Sequence, residues 1–255
     1  MNTNQSSSRV QSIIKRLLDI TISVGGLILL SPVLAAIALA IKLDSRGEII
    51  YTHPRVGKGG RAFSLYKFRS MVCDGDDTGY TEYLAQLIES DRDGNGNGLP
   101  YRKWNCDSRV TRFGNFLRKY YLDELPQFWN VLKGEMSLVG PRPHVQLEVD
   151  HYMQDQTRRL SVKPGLTGLW QVMGKADCSF YELIQLDLDY IDHWSLKLDL
   201  QIIFCTIILM LKGGEGFWTR EAKEITRKFP TGNYVSSPGV YLFDGTDEKE
   251  NIRRS

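Results

Sequence analysis

From Ile20 to Ile41 the chain runs for 22 residues without a charged side chain, and Pro32 interrupts that run. The stretch is long enough to cross a bilayer if straight. Proline removes a backbone donor and clashes with the turn before it, so a helix here must bend. The two arms, 20–31 and 33–41, reach only roughly 18 and 14 Å at helical rise, about half a hydrocarbon core each. Ser31 stands next to the break, where its hydroxyl can take up a carbonyl that the proline leaves unpaired. Ser31 and Pro32 therefore read as the break of a re-entrant membrane helix over 15–45. The flanking charges agree. Arg9, Lys15 and Arg16 precede the run, and Lys42, Arg46, Arg55, Lys58 and Arg61 follow it. The positive-inside tendency puts both ends in the cytoplasm, which one straight span cannot do. A kinked transmembrane helix is the alternative.

Beyond this segment the chain reads as α+β and predominantly helical. The expected architecture is a re-entrant membrane helix, then a compact cytoplasmic catalytic domain with amphipathic interfacial helices. The expected boundaries are a disordered Ser-rich N-terminus at 1–14, the membrane helix at 15–45, the domain at 46–215 and a polar tail at 216–255. EIIYTHPRVG and RAFSLYKFRSM, separated by Gly57, Gly59 and Gly60, give a hairpin signal. A short helix is expected over 80–90. Phe113, Phe116, Leu117 and Tyr120 recur at i, i+3, i+4 and i+7, predicting a helix with one buried face. A second short helix is expected from Glu124 to Leu132, ended by Lys133-Gly134. Residues 145–160 read as helical and polar, and 179–193 as amphipathic. Ile202 to Leu211 is too short to span, leaving an interfacial helix or a core helix.

Charge and cysteines narrow the function classes. A net charge of +2 argues against a dedicated nucleic-acid binder. Arg55, Lys58, Arg61, Lys67 and Arg69 form a local basic stretch that suits a phosphorylated ligand or an anionic membrane surface. Cys73, Cys106, Cys178 and Cys205 match no metal spacing, and read as reduced and structural. The loop 91–102 mimics the start of a calcium loop but has Arg102 where the final bidentate Glu belongs.

The chemically dense region runs from Arg109 to Arg142. Arg109, Arg112, Arg118 and Lys119 lead into Asp123-Glu124, and Pro141-Arg142-Pro143 follows. Arginines bind phosphate oxygens through forked hydrogen bonds. A carboxylate can hold Mg²⁺ alongside substrate phosphates, or attack phosphorus itself. An aspartate just before a helix is equally a good N-cap, so both readings stand at this point. Prolines on either side of Arg142 restrict its backbone.

These strings together resemble the bacterial sugar transferases, the monotopic polyprenyl-phosphate phosphoglycosyl transferases. The resemblance runs from about Lys15 to Leu211. It rests on KRLLDI, the Ser31-Pro32 break, YKFRSM, DSRVTRFGNFLRKYYLDELPQFWNVLKGEMSLVGPRP, KPGLTGLWQV and LDLDYIDHWSLKLDL. It implies Asp123 as covalent nucleophile with Glu124 as dyad partner, and both as the Mg²⁺ site. Arg118, Arg142, Lys67 and Arg69 are implied to bind substrate phosphate. The implied reaction moves a sugar-1-phosphate from a UDP-sugar to undecaprenyl phosphate, releasing UMP, at the cytoplasmic face of a bacterial inner membrane. It would initiate exopolysaccharide or other glycoconjugate synthesis. Implied partners are these substrates and membrane lipid, with no nucleic acid; a homo-oligomer is left open. Lys175 and Ala176 replace the family's arginine and asparagine after QVxG, so Lys175 keeps the charge without the fork. Tyr121 replaces a Ser or Thr before LDE, and 74–106 is longer than in small members. No additional N-terminal membrane helices precede the resemblance, which implies the bare catalytic unit. The rival readings are a catalytically silent membrane scaffold and a soluble nucleotide-binding regulator.

Overall fold

A computed structural model describes residues 3–72, 78–91, 99, 109–173 and 178–213. The expected polar tail, most of the 91–102 loop, Cys73, Cys106 and Lys175 lie outside the described residues. The described chain is helical with two small sheets, so the α+β expectation holds.

Helix α1 (Thr3–Leu29) and helix α2 (Ser31–Asp44) meet at Leu30 with a bend of 61°. No single described helix is long and apolar enough to cross a membrane; the bent pair passes that test jointly. The Ser31 hydroxyl donates to the Ile28 carbonyl at 2.8 Å. That is the carbonyl an amide at position 32 would serve, so the serine replaces the donor that proline lacks. Residues 3–14, expected to be disordered, belong to α1 instead. Extending an established helix adds one hydrogen bond per residue with no new nucleation, which offsets the weak propensity of Ser and Asn.

Both limbs of the bent pair return to the same body. On α1, Arg16 donates to the carbonyls of Val131 and Leu132 (2.7 and 2.9 Å), and Asp19 accepts from the Leu138 amide at 2.9 Å and the Ser137 hydroxyl at 3.1 Å. Lys15 pairs with Asp199 at 2.7 Å. On α2, Ile37 and Ile41 are buried with Phe68, Leu117 and Leu125. The apex between them, Ile28, Leu29 and Val33, is exposed.

Strands β1 (Ile50–Val56) and β2 (Ala62–Phe68) form the expected antiparallel hairpin, with Ile50 opposite Phe68 and Val56 opposite Ala62. Gly59 and Gly60 take φ of 69° and 75° in its turn, where a side chain would be strained. Helix α3 (Thr78–Ser90) packs Leu87 and Ile88 on a cluster containing Phe180, Leu183, Ile184 and Leu188.

Helix α4 (Arg112–Lys119), capped by Thr111, buries Gly114 and Leu117, whereas Phe116 is exposed. The buried stripe is rotated from the expected one because Gly114 lies against the Ser70 carbonyl, so close that a Cβ would stand 2.0 Å from that oxygen. Helix α5 (Gln127–Lys133) ends at Gly134 with φ 82°, the left-handed end that glycine permits.

Strand β3 (Ser137–Val139) pairs in parallel with strand β4 (Gly165–Thr167). Helix α6 (Gln146–Asp150) and a 3-10 stretch (Asp155–Ser161) follow β3. Helix α7 (Leu169–Val172) leads to helix α8 (Phe180–Asp192), which carries a Ser179–Glu182 capping box. Residues 145–160 are helical and polar as expected, and Glu148, Gln156 and Arg159 among them are buried, each against polar partners from elsewhere in the chain or its own turn. Helix α9 (Leu196–Leu211) combines the two readings given to it. Leu198, Ile202, Cys205 and Leu209 face the core, while Leu200, Phe204, Ile207 and Leu211 are exposed.

Candidate active site

The chain between α4 and α5 is a tight connector. Tyr121 takes φ 56°, the one positive φ at a non-glycine among the described residues, and turns α4 into a 3-10 turn over Leu122–Glu124. A left-handed residue of this size costs on the order of 1 kcal/mol. The turn places Asp123 and Glu124 side by side, 6% and 7% exposed. Helix α5 begins at Gln127, with Pro126 in the capping position. The expected helix from Glu124 therefore starts three residues later, and neither carboxylate caps it.

A buried carboxylate pair needs counter-charge. Lys67, from the exit of β2, supplies it with Nζ 2.9 Å from Glu124 Oε1. Asn130, fully buried on α5, fixes that approach. Its Nδ2 donates to Ser64 O and to Glu135 Oε2, both at 2.7 Å, and its Oδ1 accepts from the Tyr66 amide at 3.1 Å. Asn130 thus ties α5 to the strand bearing Lys67. Burial first, and then the Glu124 carboxylate, push the Tyr121 phenol up from its ordinary value, so it stays protonated beside the dyad.

The opposite wall comes from the β3–β4 pair. Gly140 donates to Thr167 O at 2.9 Å and Gly165 to Pro141 O at 2.8 Å. Strand β3 delivers the chain directly into Pro141-Arg142-Pro143. Arg142 lies over the Trp170 ring at 5.7 Å, and its carbonyl accepts from Arg159 at 3.0 Å. Arg159 is itself buried beside Asp187, 2.5 Å away, and donates to His144. Burial, then the guanidiniums of Arg159, Arg142 and Arg55, hold the His144 imidazole well below its ordinary value and so neutral.

The resulting cleft is lined by Arg55, Lys67, Glu124, Gln127, Arg142 and Gln171, among others. Of the residues expected at the site, Glu124, Lys67 and Arg142 meet here, with Asp123 adjacent in the 3-10 turn. Arg118 lies in the last turn of α4, four residues ahead of Leu122, where that turn begins. Arg69 is placed differently. Its buried guanidinium donates to the carbonyls of Ser45 at 2.6 Å and Ile41 at 3.3 Å, holding the end of α2 on β2. Arg55, Asn130 and Arg159 were missed. Only Arg55 carried a usable signal, as a member of the basic hairpin.

Among the described residues no three His, Cys, Asp or Glu side chains gather as a metal cage. Two adjacent carboxylates beside a cationic cleft nevertheless fit Mg²⁺, which is commonly held by one or two carboxylates together with substrate phosphates.

A family model for bacterial sugar transferases matches residues 10–213. The chain belongs to the bacterial sugar transferase family. Its similarity to individual members is of the same kind. It is 41% identical over 212 residues to the UDP-galactose-lipid carrier transferase of Erwinia amylovora, covering 82% of this chain and 43% of that protein. It is 40% identical over 209 residues to the undecaprenyl-phosphate galactose phosphotransferase of Salmonella typhimurium, with shares of 82% and 43%. Against the exopolysaccharide production protein ExoY of Sinorhizobium fredii, identity is 40% over 198 residues, 78% of this chain and 85% of that protein. The chain thus spans about two fifths of several bacterial sugar transferases that it matches and most of a shorter one.

Proposed function

We propose that this bacterial sugar transferase is a polyprenyl-phosphate phosphoglycosyl transferase, moving a hexose-1-phosphate from a UDP-sugar to undecaprenyl phosphate. The observation that carries the reading is the buried Asp123–Glu124 pair, of which Glu124 is bonded to Lys67 and lines a cleft together with Arg55 and Arg142. Asp123 attacks the β-phosphorus of the donor. The bond from that phosphorus to the bridging oxygen breaks, UMP leaves with the electron pair, and the sugar-phosphate stays on the carboxylate. A phosphate oxygen of the lipid then attacks the same phosphorus, and the Asp123 carboxylate departs unchanged. Lys67, Arg55 and Arg142 offset the phosphate charge throughout. Mg²⁺, held at Asp123 and Glu124, would make the phosphorus more electrophilic when bound.

The lipid acceptor requires the cleft to face a bilayer surface. The exposed apolar apex at Ile28, Leu29 and Val33 supports insertion of the bent pair as a re-entrant helix from the cytoplasmic face of the inner membrane. The contacts of both limbs with one body support the same topology. Exposed Phe204, Ile207 and Leu211 on α9 are suited to the interface.

The test is UMP release from a panel of UDP-sugars with undecaprenyl phosphate and Mg²⁺, together with mass spectrometry of the quenched enzyme. A sugar-phosphate adduct on Asp123 is expected. UMP release from an Asp123→Asn variant at near the parent rate would exclude the covalent step. No release from any donor would favour a silent scaffold.

A further inference from the structure

Pro141 and His144, on either side of Arg142, have their carbonyls held by backbone amides. Gly165 donates to Pro141 O at 2.8 Å and Val56 to His144 O at 2.9 Å. Between them, the Arg142 carbonyl is served by a side chain instead. Nη2 of Arg159, from the 3-10 stretch after α6, donates to it at 3.0 Å. The same guanidinium reaches past Pro143, with Nη1 2.8 Å from His144 Nδ1. Asp187 of α8 fixes the guanidinium in turn, its Oδ2 accepting from Nε at 3.1 Å and from Nη2 at 2.5 Å. Arg159 is 4% exposed and Asp187 1%.

We propose that Arg159 and Asp187 are positioning residues for donor recognition, holding the backbone of Arg142 so that its guanidinium meets a phosphate of the nucleotide sugar. This rests on the phosphoglycosyl transferase reading above and adds to it a buried support running from α8 to the cleft.

Stability alone does not account for the pair. Taking a guanidinium and a carboxylate out of water costs much of what their attraction returns, and apolar side chains of similar volume are often as stable in their place. An apolar pair cannot donate to a carbonyl. Pro143 confines Arg142 to extended backbone, and Arg159 fixes where its carbonyl points within that range. From this anchored backbone the Arg142 side chain lies over the Trp170 ring at 5.7 Å and lines the cleft with Arg55, Lys67 and Glu124. A cationic side chain on a fixed backbone has less freedom to lose when a ligand binds, so the anchor raises affinity for a diphosphate.

The probe is UDP, titrated calorimetrically into the full chain in phospholipid nanodiscs, alongside steady-state turnover and thermal melts. Arg159→Met/Asp187→Leu removes both charges together and keeps most of the volume, so the fold should survive. UDP affinity is expected to fall roughly 10-fold, with donor KM rising to match. Arg142→Ala should itself weaken UDP by about 10-fold or more. Adding the paired change to Arg142→Ala should cost less than about 2-fold further, since the pair acts through Arg142. A merely structural pair would lower UDP binding by the same factor with Arg142 present or absent. That result overturns the proposal. So does parent-like UDP binding in the paired variant or in Arg142→Ala, or a parent protein that does not bind UDP. If the paired variant fails to fold, Arg159→Lys decides by the same criteria, because it keeps the charge beside Asp187 and loses the fork that spans Asp187 and Arg142. Arg159-dependent UDP binding in a protein that releases no UMP would preserve this inference and defeat the transferase reading.

Discussion

Lys67 Nζ lies 2.9 Å from Glu124 Oε1, joining the exit of the β-hairpin to the carboxylate pair across 57 positions of sequence. Glu124 is almost wholly buried and Lys67 only one-fifth exposed, so this pair is screened little by solvent. Removing one member of such a pair leaves the other charged and uncompensated. Lys67→Met is expected to lower kcat/KM by about 100-fold, close to 2.7 kcal/mol. The same variant should need less Mg²⁺ for half-maximal rate, because Glu124 no longer shares its oxygen with an ammonium. A kinetic titration with Mg²⁺ reads both effects. Parent kcat/KM with an unmoved Mg²⁺ midpoint would show that the pair plays no part at the site.

His144 predicts an acid-labile fold. It is buried, faces Arg159, Arg142 and Arg55, and has Tyr152 at 2.8 Å and Glu148 at 3.8 Å. Its native pKa is depressed, so below about 6.5 the unfolded chain binds a proton that the native fold does not. The contribution of His144 is thus complete above that value and is lost as pH falls toward the native pKa. The slope for one such group is at most about 1.4 kcal/mol per pH unit. Melting temperatures between about pH 7.5 and pH 5.5 should therefore drop by several degrees in the parent. His144→Gln keeps an acceptor for Arg159 and should be less stable at neutral pH but flatter across this range. Equal acid slopes in the two proteins would remove His144 as the cause.

Much of this architecture was legible because it depends on neighbours in sequence. The Ser31-Pro32 bend, the Gly57–Gly60 turn and the Lys133-Gly134 stop each rest on local backbone chemistry, and each appears where expected. The dyad and Arg142 were legible for another reason: they sit in long ordered strings shared with a family. What escaped depends on partners far along the chain. Arg69 looked like a phosphate ligand until Ser45 and Ile41 supplied its acceptors. Glu148 and Arg159 stood out in no local pattern, and their partners, Arg55 and Asp187, lie far along the chain. The periodicity of α4 marked the right helix, but Ser70 pressing on Gly114 decided which face is buried.

Gly165 tests how closely the Arg142 wall depends on β3–β4 contact. A Cβ there would stand 2.1 Å from the Gly140 nitrogen, a distance no backbone tolerates. Gly165→Ala should push the strands apart, cost about 3 kcal/mol and lower activity by displacing Pro141-Arg142-Pro143. Gly25 has nothing within 4 Å of the equivalent position, so Gly25→Ala serves as the tolerated control. Thermal melts and UMP release on both variants give the comparison. Similar behaviour of the two would mean that the strand pair yields without consequence.

The bend at Leu30 carries the last expectation. Ser31 Oγ occupies the Ile28 carbonyl at 2.8 Å, in place of the amide that Pro32 lacks. Ser31→Ala/Pro32→Ala restores that amide, removes the proline clash and permits one continuous helix. A straight run from Ile20 to Ile41 would measure roughly 33 Å, enough to cross the hydrocarbon core. A straight helix cannot keep Lys15, Arg16 and Asp19 on the same body as Ile37 and Ile41. Straightening must therefore break one set of contacts. The expected outcome is loss of transfer activity and movement of the N-terminus across the membrane in part of the population. A Ser8→Cys reporter, with Cys73 and Cys106 replaced by serine, reads the topology through an impermeant thiol reagent on oriented vesicles. In the bent parent, position 8 should label only from the cytoplasmic side; labelling of the parent from the opposite side would contradict the re-entrant arrangement directly.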